Sequence, residues 1–180
     1  QQFDPANPAY KMYYRALAAR KLPLLSHVGY EFSLSGADQS AGDPVRLRVA
    51  LEEGVTVIAA HACSYGLLLY ERFLPTLQQF VQLYANFYAD ISSLTHPNRF
   101  RMLLHLRRLP EIHKRLLFGT DYPLPVFHFP CWGRVGMRAL REMIRTTNRF
   151  DRQVAVCRGL KIGFRSLGDV VAHQELSQHP

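Results

Sequence analysis

Four short apolar runs punctuate this chain at nearly even intervals, and three of them lead straight into a side chain that can bind a metal or move a proton. Leu22-Pro-Leu-Leu-Ser leads to His27, Val55-Thr-Val-Ile-Ala-Ala to His61, and Arg115-Leu-Leu-Phe-Gly-Thr to Asp121. The fourth run, Phe87-Tyr-Ala-Asp-Ile, ends in Ser92 and Ser93. The runs begin near residues 22, 55, 87 and 115, so they are spaced by 33, 32 and 28. A strand, a helix and two loops need about 30 residues. Polar groups at the carboxyl ends of successive parallel strands converge on one face, where barrel and open α/β enzymes carry their chemistry.

The segments between these runs read as helices and loops. Asn7-Pro8 starts a helix, with Asn as cap and Pro in the first turn, that runs to about Arg20. After His27 comes a polar loop of about 15 residues containing Gly29, Gly36 and Gly42, long for a connector and suited to facing a substrate. Asp43-Pro44 caps a helix whose apolar residues are Val45, Val49 and Leu51 and which stops at Gly54. A small-residue loop, Ala62 to Gly66, precedes a helix broken or bent at Pro75 that reaches Tyr84. A loop with His96-Pro97 leads to a helix from about Asn98 to Leu109. Beyond Asp121 lie the rigid turn Tyr122-Pro-Leu-Pro125 and a long loop through Phe127, His128 and Trp132. Helices are expected at 134–146, 151–160 and 166–174.

The order is one helix, four βα units and a helical tail, which implies a parallel sheet with right-handed crossovers. Four units are half of a TIM (β/α)8-type barrel, and a four-stranded parallel sheet alone leaves two open edges. The expectation is therefore an α/β fold, the C-terminal half of such a barrel, with residues 1–180 as a single partial domain. The opening Gln1-Gln2-Phe3-Asp4-Pro5 lacks a starting Met and carries no signal peptide, which suggests a chain that begins inside a longer protein.

Composition agrees with a packed globule: 48% of the residues are hydrophobic and 12% aromatic. No apolar run approaches the ~20 residues that cross a bilayer. Cys63, Cys131 and Cys157 are odd in number and widely spaced, as reduced thiols of a cytoplasmic protein would be, and no Cys-x-x-Cys pair offers a structural zinc site. The formal charge of +8 concentrates in two stretches, Arg99 to Arg115 and Arg134 to Arg152. Both read as solvated helix faces rather than a nucleic-acid surface, since no aromatic–basic motif or recognition helix accompanies them.

His27 leaves a buried strand beside Gly29, and a neutral imidazole presented to a cavity is a common ligand of divalent metals. The alternative is a histidine that only organises its loop. His61 is surrounded by Ala59, Ala60 and Ala62, which leave room for a ligand or a general base. Asp121 ends an apolar strand, so its carboxylate is paired, hydrogen-bonded or metal-bound; Gly119 allows close approach and Pro123 fixes the turn. Two histidines and an aspartate suit activation of water or polarisation of a substrate oxygen at a divalent metal. Glu31, Ser92 or Ser93, Tyr122 and Trp132 are candidates for contacting substrate, the last two in an aromatic wall with Phe127 and Phe129. Ordinary loop packing explains each of them equally well. His96 and His128 lie in loops on the same side, whereas His105, His113, His173 and His179 belong to helix surfaces or the tail.

At these residues the sequence resembles the amidohydrolase-related family of metal-dependent TIM-barrel hydrolases and decarboxylases. The resemblance is carried by Leu22 to Gly29, Gly54 to His61, Leu83 to Ser93, Leu116 to Pro123 and Asn148 to Val154, with Gly119-Thr-Asp-Tyr-Pro the most specific piece. It implies that the chain supplies the fifth to eighth barrel strands. It also implies His27 as a metal ligand, His61 as ligand or catalytic base, and Asp121 as a ligand that also handles a proton. The implied cofactor is zinc, with Mn2+ or Fe2+ as alternatives. The implied reaction is cleavage of a C–N or C–O bond in a small molecule by metal-activated water. The alternatives are a nonoxidative decarboxylase, hence a lyase, on the same scaffold, or a non-catalytic binding domain. The family's His-x-His pair on the first strand has no counterpart in this chain. The N-terminal half of the barrel is thus an expected partner, besides a small-molecule substrate and a possible second copy. Isolated, the chain is expected to be inactive and to bind metal poorly.

Overall fold

In the structure, a computed structural model that describes residues 3–31, 38–67 and 70–170, each apolar run forms a strand of one parallel sheet. The elements are α1 (Lys11–Ala19), β1 (Leu24–Ser26), α2 (Arg48–Glu52), β2 (Val57–Ala59), α3 (Leu74–Leu83), β3 (Phe87–Asp90), α4 (Phe100–Leu106), β4 (Leu116–Leu117), α5 (Met137–Arg145) and α6 (Arg149–Gly159). The strands lie in chain order, β1-β2-β3-β4, with Leu25 beside Ile58 and Ile58 beside Tyr88, and with Asp90 beside Leu117. The alternation of strands and helices expected from the spacing is therefore present, and the fold is α/β.

Because side chains alternate along a strand, the sheet has two different faces. Leu24, Val57, Ala59, Phe87, Ala89 and Leu116 face the helices and join a core with Tyr14, Leu47, Leu77, Phe80, Met102 and Leu106. Phe80 of α3 packs edge-on against Tyr84 and Phe87, with centroids 5.3 and 5.4 Å away. Each such fully buried ring or aliphatic side chain is worth roughly 1.5–3 kcal/mol of burial. On the other face Ile58 and Leu117 form a small cluster with Val170, and Tyr88 packs against it. Leu25, the neighbour of Ile58 in the ladder, is 62% exposed.

Local signals account for some of the element starts. Asn7 and Asp43 cap as their types dictate, accepting from the main-chain N–H groups of Ala9 at 2.9 Å and Val45 at 3.0 Å. Asn148 does the same for α6, accepting from Phe150 and Asp151. Several expectations need correction. The stretch after Asp43 begins as a 3-10 turn, Pro44–Leu47, and its buried face is Leu47, Ala50 and Leu51, with Val45 turned outward. Pro75 opens α3 instead of bending it, since a proline in the first turn forfeits no helical hydrogen bond. The helices expected at 98–109, 134–146 and 151–160 are α4, α5 and α6 with shifted ends. Of the helix expected at 166–174 the described part is 167–170; its remainder, Gly36, His173 and His179 lie outside the described residues.

The three cysteines are free and buried, and burial pushes the Cys131 thiol up to about 11 and the Cys157 thiol up to about 12. Among the described residues no helix is long and apolar enough to cross a membrane. The arginines of α5 are exposed, as their pattern implies. Arg99 is not: it is 6% exposed, because its guanidinium reaches under two loops instead of into solvent.

Candidate functional site

At the carboxyl ends of β2, β3 and β4 the backbone leaves the extended region for the left-handed one. His61, Ala62 and Cys63 have φ of 58°, 48° and 57°, Ser93 54° and Asp121 57°. Non-glycine residues in this region cost on the order of 1–2 kcal/mol each, so surrounding contacts must hold them.

One carboxylate does much of the holding. Asp90 Oδ1 accepts from the main-chain N–H of His61 at 2.9 Å, the main-chain N–H of Ser92 at 2.9 Å and the Ser92 hydroxyl at 2.5 Å. It can lie where it does because Gly119 on β4's continuation has no side chain: a Cβ there would sit 3.0 Å from Asp90 Cγ. The glycine thus makes room for a neighbouring carboxylate. The arrangement also fixes the His61 ring. Its Nδ1 lies 3.2 Å from the Ser92 carbonyl oxygen, which can only accept, so Nδ1 carries the hydrogen. The Ser92 hydroxyl, 2.8 Å from Nδ1, passes its own hydrogen to Asp90. The lone pair is left on Nε2, and Nε2 lies 4.0 Å from Asp121 Oδ2.

The three residues singled out by their place after strands therefore meet on one rim. The His27 and His61 rings stand edge to face with centroids 5.2 Å apart. Asp121 Oδ2 also accepts a hydrogen bond from the Ser93 hydroxyl, and Asp121 remains 41% exposed. Glu31 Oε2 is 3.8 Å from His27 Nδ1, and the Glu31 backbone is clamped by Gln39, which accepts from its N–H at 2.8 Å and donates to its carbonyl at 3.0 Å. Ser92 is beside His61, its hydroxyl 2.8 Å from Nδ1. Tyr122 and Trp132 are exposed and make their ring contacts elsewhere. Tyr122 is 70% exposed and packs on Phe150, while Trp132 is 57% exposed with its ring near His128. Phe127 and Phe129 pack on each other and on His96 and Phe100, whereas Tyr122 and Trp132 have other ring neighbours. His96 Nε2 is hydrogen-bonded to the Pro125 carbonyl, and His113, far from a plain surface residue, joins the Leu106 carbonyl to the Gly163 N–H.

Beneath the rim sits Arg99. It donates to the carbonyls of Ser64 at 3.0 Å and Tyr30 at 3.2 Å, three residues past His61 and His27 respectively. Tyr30 N–H in turn donates to the Tyr65 carbonyl at 2.7 Å, so the loops after β1 and β2 are tied side by side. Glu71 completes the support, accepting from Ser64 Oγ, Tyr65 N–H and Met102 N–H. Burial, and then the nearby Arg99 charge, lower the pKa of both histidines, with His61 brought down to about 4. Both rings are neutral at pH 7, the form that ligates metals or accepts a proton.

Gln153 of α6 spans the gap where β3 and β4 diverge, donating to the carbonyls of Ile91 at 3.1 Å and Gly119 at 2.5 Å. Asp90, Arg99, Glu71 and Gln153 are the residues that reading the sequence did not assign to the site. Only Asp90 carried a signal, as a charge inside an apolar strand. For a metal, the donor chemistry fits in part. Two neutral imidazoles and a carboxylate share the rim, but among the described residues no three His, Cys, Asp or Glu side chains are grouped to hold an ion by themselves.

No family model matches the chain, and no curated protein matches it in sequence. Among solved structures it is similar to an uncharacterized TIM-barrel protein from Bordetella bronchiseptica, at 16% identity and a TM-score of 0.53 over 86% of this chain and 53% of that one. It also overlaps, more loosely, with an amidohydrolase 2 from Bifidobacterium longum subsp. infantis, at 18% identity and a TM-score of 0.43 over 88% of this chain and 57% of that one. The chain spans about half the length of these proteins. Its fold is that of half a TIM barrel: four parallel βα units and the helices that follow them.

Proposed function

We propose that the His27–His61–Asp121 rim is one wall of a hydrolase site that acts on a small molecule at a divalent metal, with further donors contributed by strands outside this chain. The carrying observation is the convergence itself: two imidazoles 5.2 Å apart, with the free Nε2 of one 4.0 Å from a carboxylate oxygen. His27, His61 through Nε2, and Asp121 would hold the ion, zinc or alternatively Mn2+ or Fe2+. Such an ion supplies a Lewis acid and a bound water ionised near neutral pH. Around it, Ser92 and Asp90 hold the His61 ring in a single tautomer, the arrangement that makes an imidazole a better ligand. Asp121 would serve as the group that takes a proton and passes it to the leaving group, with the Ser93 hydroxyl hydrogen-bonded to its carboxylate.

Calorimetric titration of the 180-residue chain with zinc tests this reading. The expected result is weak, roughly stoichiometric binding that His61→Ala and Asp121→Ala abolish, because two or three donors do not replace four. Binding unaffected by both substitutions, or none at millimolar zinc, overturns it. With the complementary strands supplied, carbon dioxide among the products of a carboxylated substrate would identify a decarboxylase instead. The lack of a three-donor group among the described residues favours a second reading, a binding domain that keeps the rim without a metal.

A further inference from the structure

The two edges of the sheet are not equivalent. On the β1 side Leu22 and Leu25 are 49% and 62% exposed. On the β4 side the chain returns after α6 and pairs with the strand itself. Arg165 forms a parallel bridge with Leu117, its N–H donating to the Leu116 carbonyl at 2.9 Å and its carbonyl accepting from Phe118 N–H at 2.8 Å. The returning segment is fastened along its length. Gly163 N–H donates to His113 Nδ1 at 3.2 Å, and the Phe164 ring lies 5.5 Å from that of Phe118. Ser166 and Asp169 then cap each other reciprocally at 2.9 and 3.1 Å, which starts the turn of helix at 167–170. That turn delivers Val170, 1% exposed, onto Ile58 and Leu117 on the face away from the helices.

We infer that residues 163–170 are an edge guard: a strap that occupies the pairing edge of β4 and part of the sheet's second face, and that any strand joining at this edge must displace. A strand edge left open is a template for pairing with another chain, and covering it is a recurrent remedy. The strap is built for that task and for release. Its ladder contact is one residue long, where β1, β2 and β3 share three-residue registers. Its apolar anchors are two, Val170 on the second face and the partly buried Phe164 beside the main core. A further strand therefore adds at β4 only after the strap has lifted.

Native-state amide exchange on the 180-residue chain decides this. The Phe118 and Arg165 amides should be protected together, yet exchange at least ~10 times faster than those of Val57 and Ile91, as a unit that opens without global unfolding. Exchange at the rate of Val57 would make the strap part of the core, and unprotected amides would mean that it does not dock; either overturns the inference. Arg165→Pro removes the donor to Leu116 and should raise concentration-dependent self-association in sedimentation above that of the unsubstituted chain. A variant that associates no more than the unsubstituted chain with Phe118 deprotected, or that fails to fold, counts against the guard.

Discussion

Asp90 Oδ1 gathers two main-chain N–H groups and a hydroxyl, all within 2.9 Å, and two of its three donors flank left-handed or tightly turned backbone. Deleting the carboxylate leaves buried donors dry, at about 1–3 kcal/mol each, so Asp90→Ala is expected to cost about 3–5 kcal/mol. Asp90→Asn, which keeps one oxygen acceptor, should cost less than half of that. Urea unfolding followed by far-UV circular dichroism measures both, and a loss under ~1 kcal/mol for the alanine variant would show that the turn holds itself. His27, His61 and Asp121 were legible in the sequence because each stands directly after an apolar run. Arg99 was not, because nothing in the run of arginines around it distinguishes a side chain that bends under a loop from one that faces water.

At the level of elements, the rim depends on two loops being able to touch. Gly29, at φ 98°, leaves no room for a side chain: a Cβ there would lie 2.1 Å from the Ser64 carbonyl oxygen, the atom that Arg99 also grips. Gly29→Ala should therefore push the loops after β1 and β2 apart. The expected cost is roughly 2–4 kcal/mol, with the His27 and His61 side-chain resonances shifting in NMR spectra. A variant of wild-type stability and unchanged histidine shifts would refute the close approach. Strand positions and helix caps were readable from apolar runs and from Asn7 and Asp43, since those signals are local. Strand ends were not: the turn at His61 is held by Asp90 from another strand, a contact remote in sequence. The face of the stretch after Asp43 was misjudged because a 3-10 turn, Pro44–Leu47, precedes α2 and Val45 there points outward.

For the molecule as a whole, the buried imidazole of His61 makes acid the vulnerable side. Its folded-state pKa, about 4, lies below its ordinary value of 6.5, so between these pH values the unfolded chain binds more protons than the native one. Stability must then rise with pH across that window and fall as pH drops from about 6.5 toward 4. The loss is on the order of a few kcal/mol. The lowered His27 pKa acts in the same direction, and a chain already at +8 gains further repulsive charge. Chemical unfolding at pH 7, 6, 5 and 4 tests it; a flat profile would mean that His61 is solvated. The half-barrel itself was legible because unit length and strand order are global regularities of the chain, whereas the strap at 163–170 has no periodic signature. The lone Trp132, mostly in water at the tip of the loop after β4, sets how this molecule looks in a fluorimeter. Its emission starts out red-shifted and has little further to go, so indole light reports on one loop while the sheet can melt almost unseen.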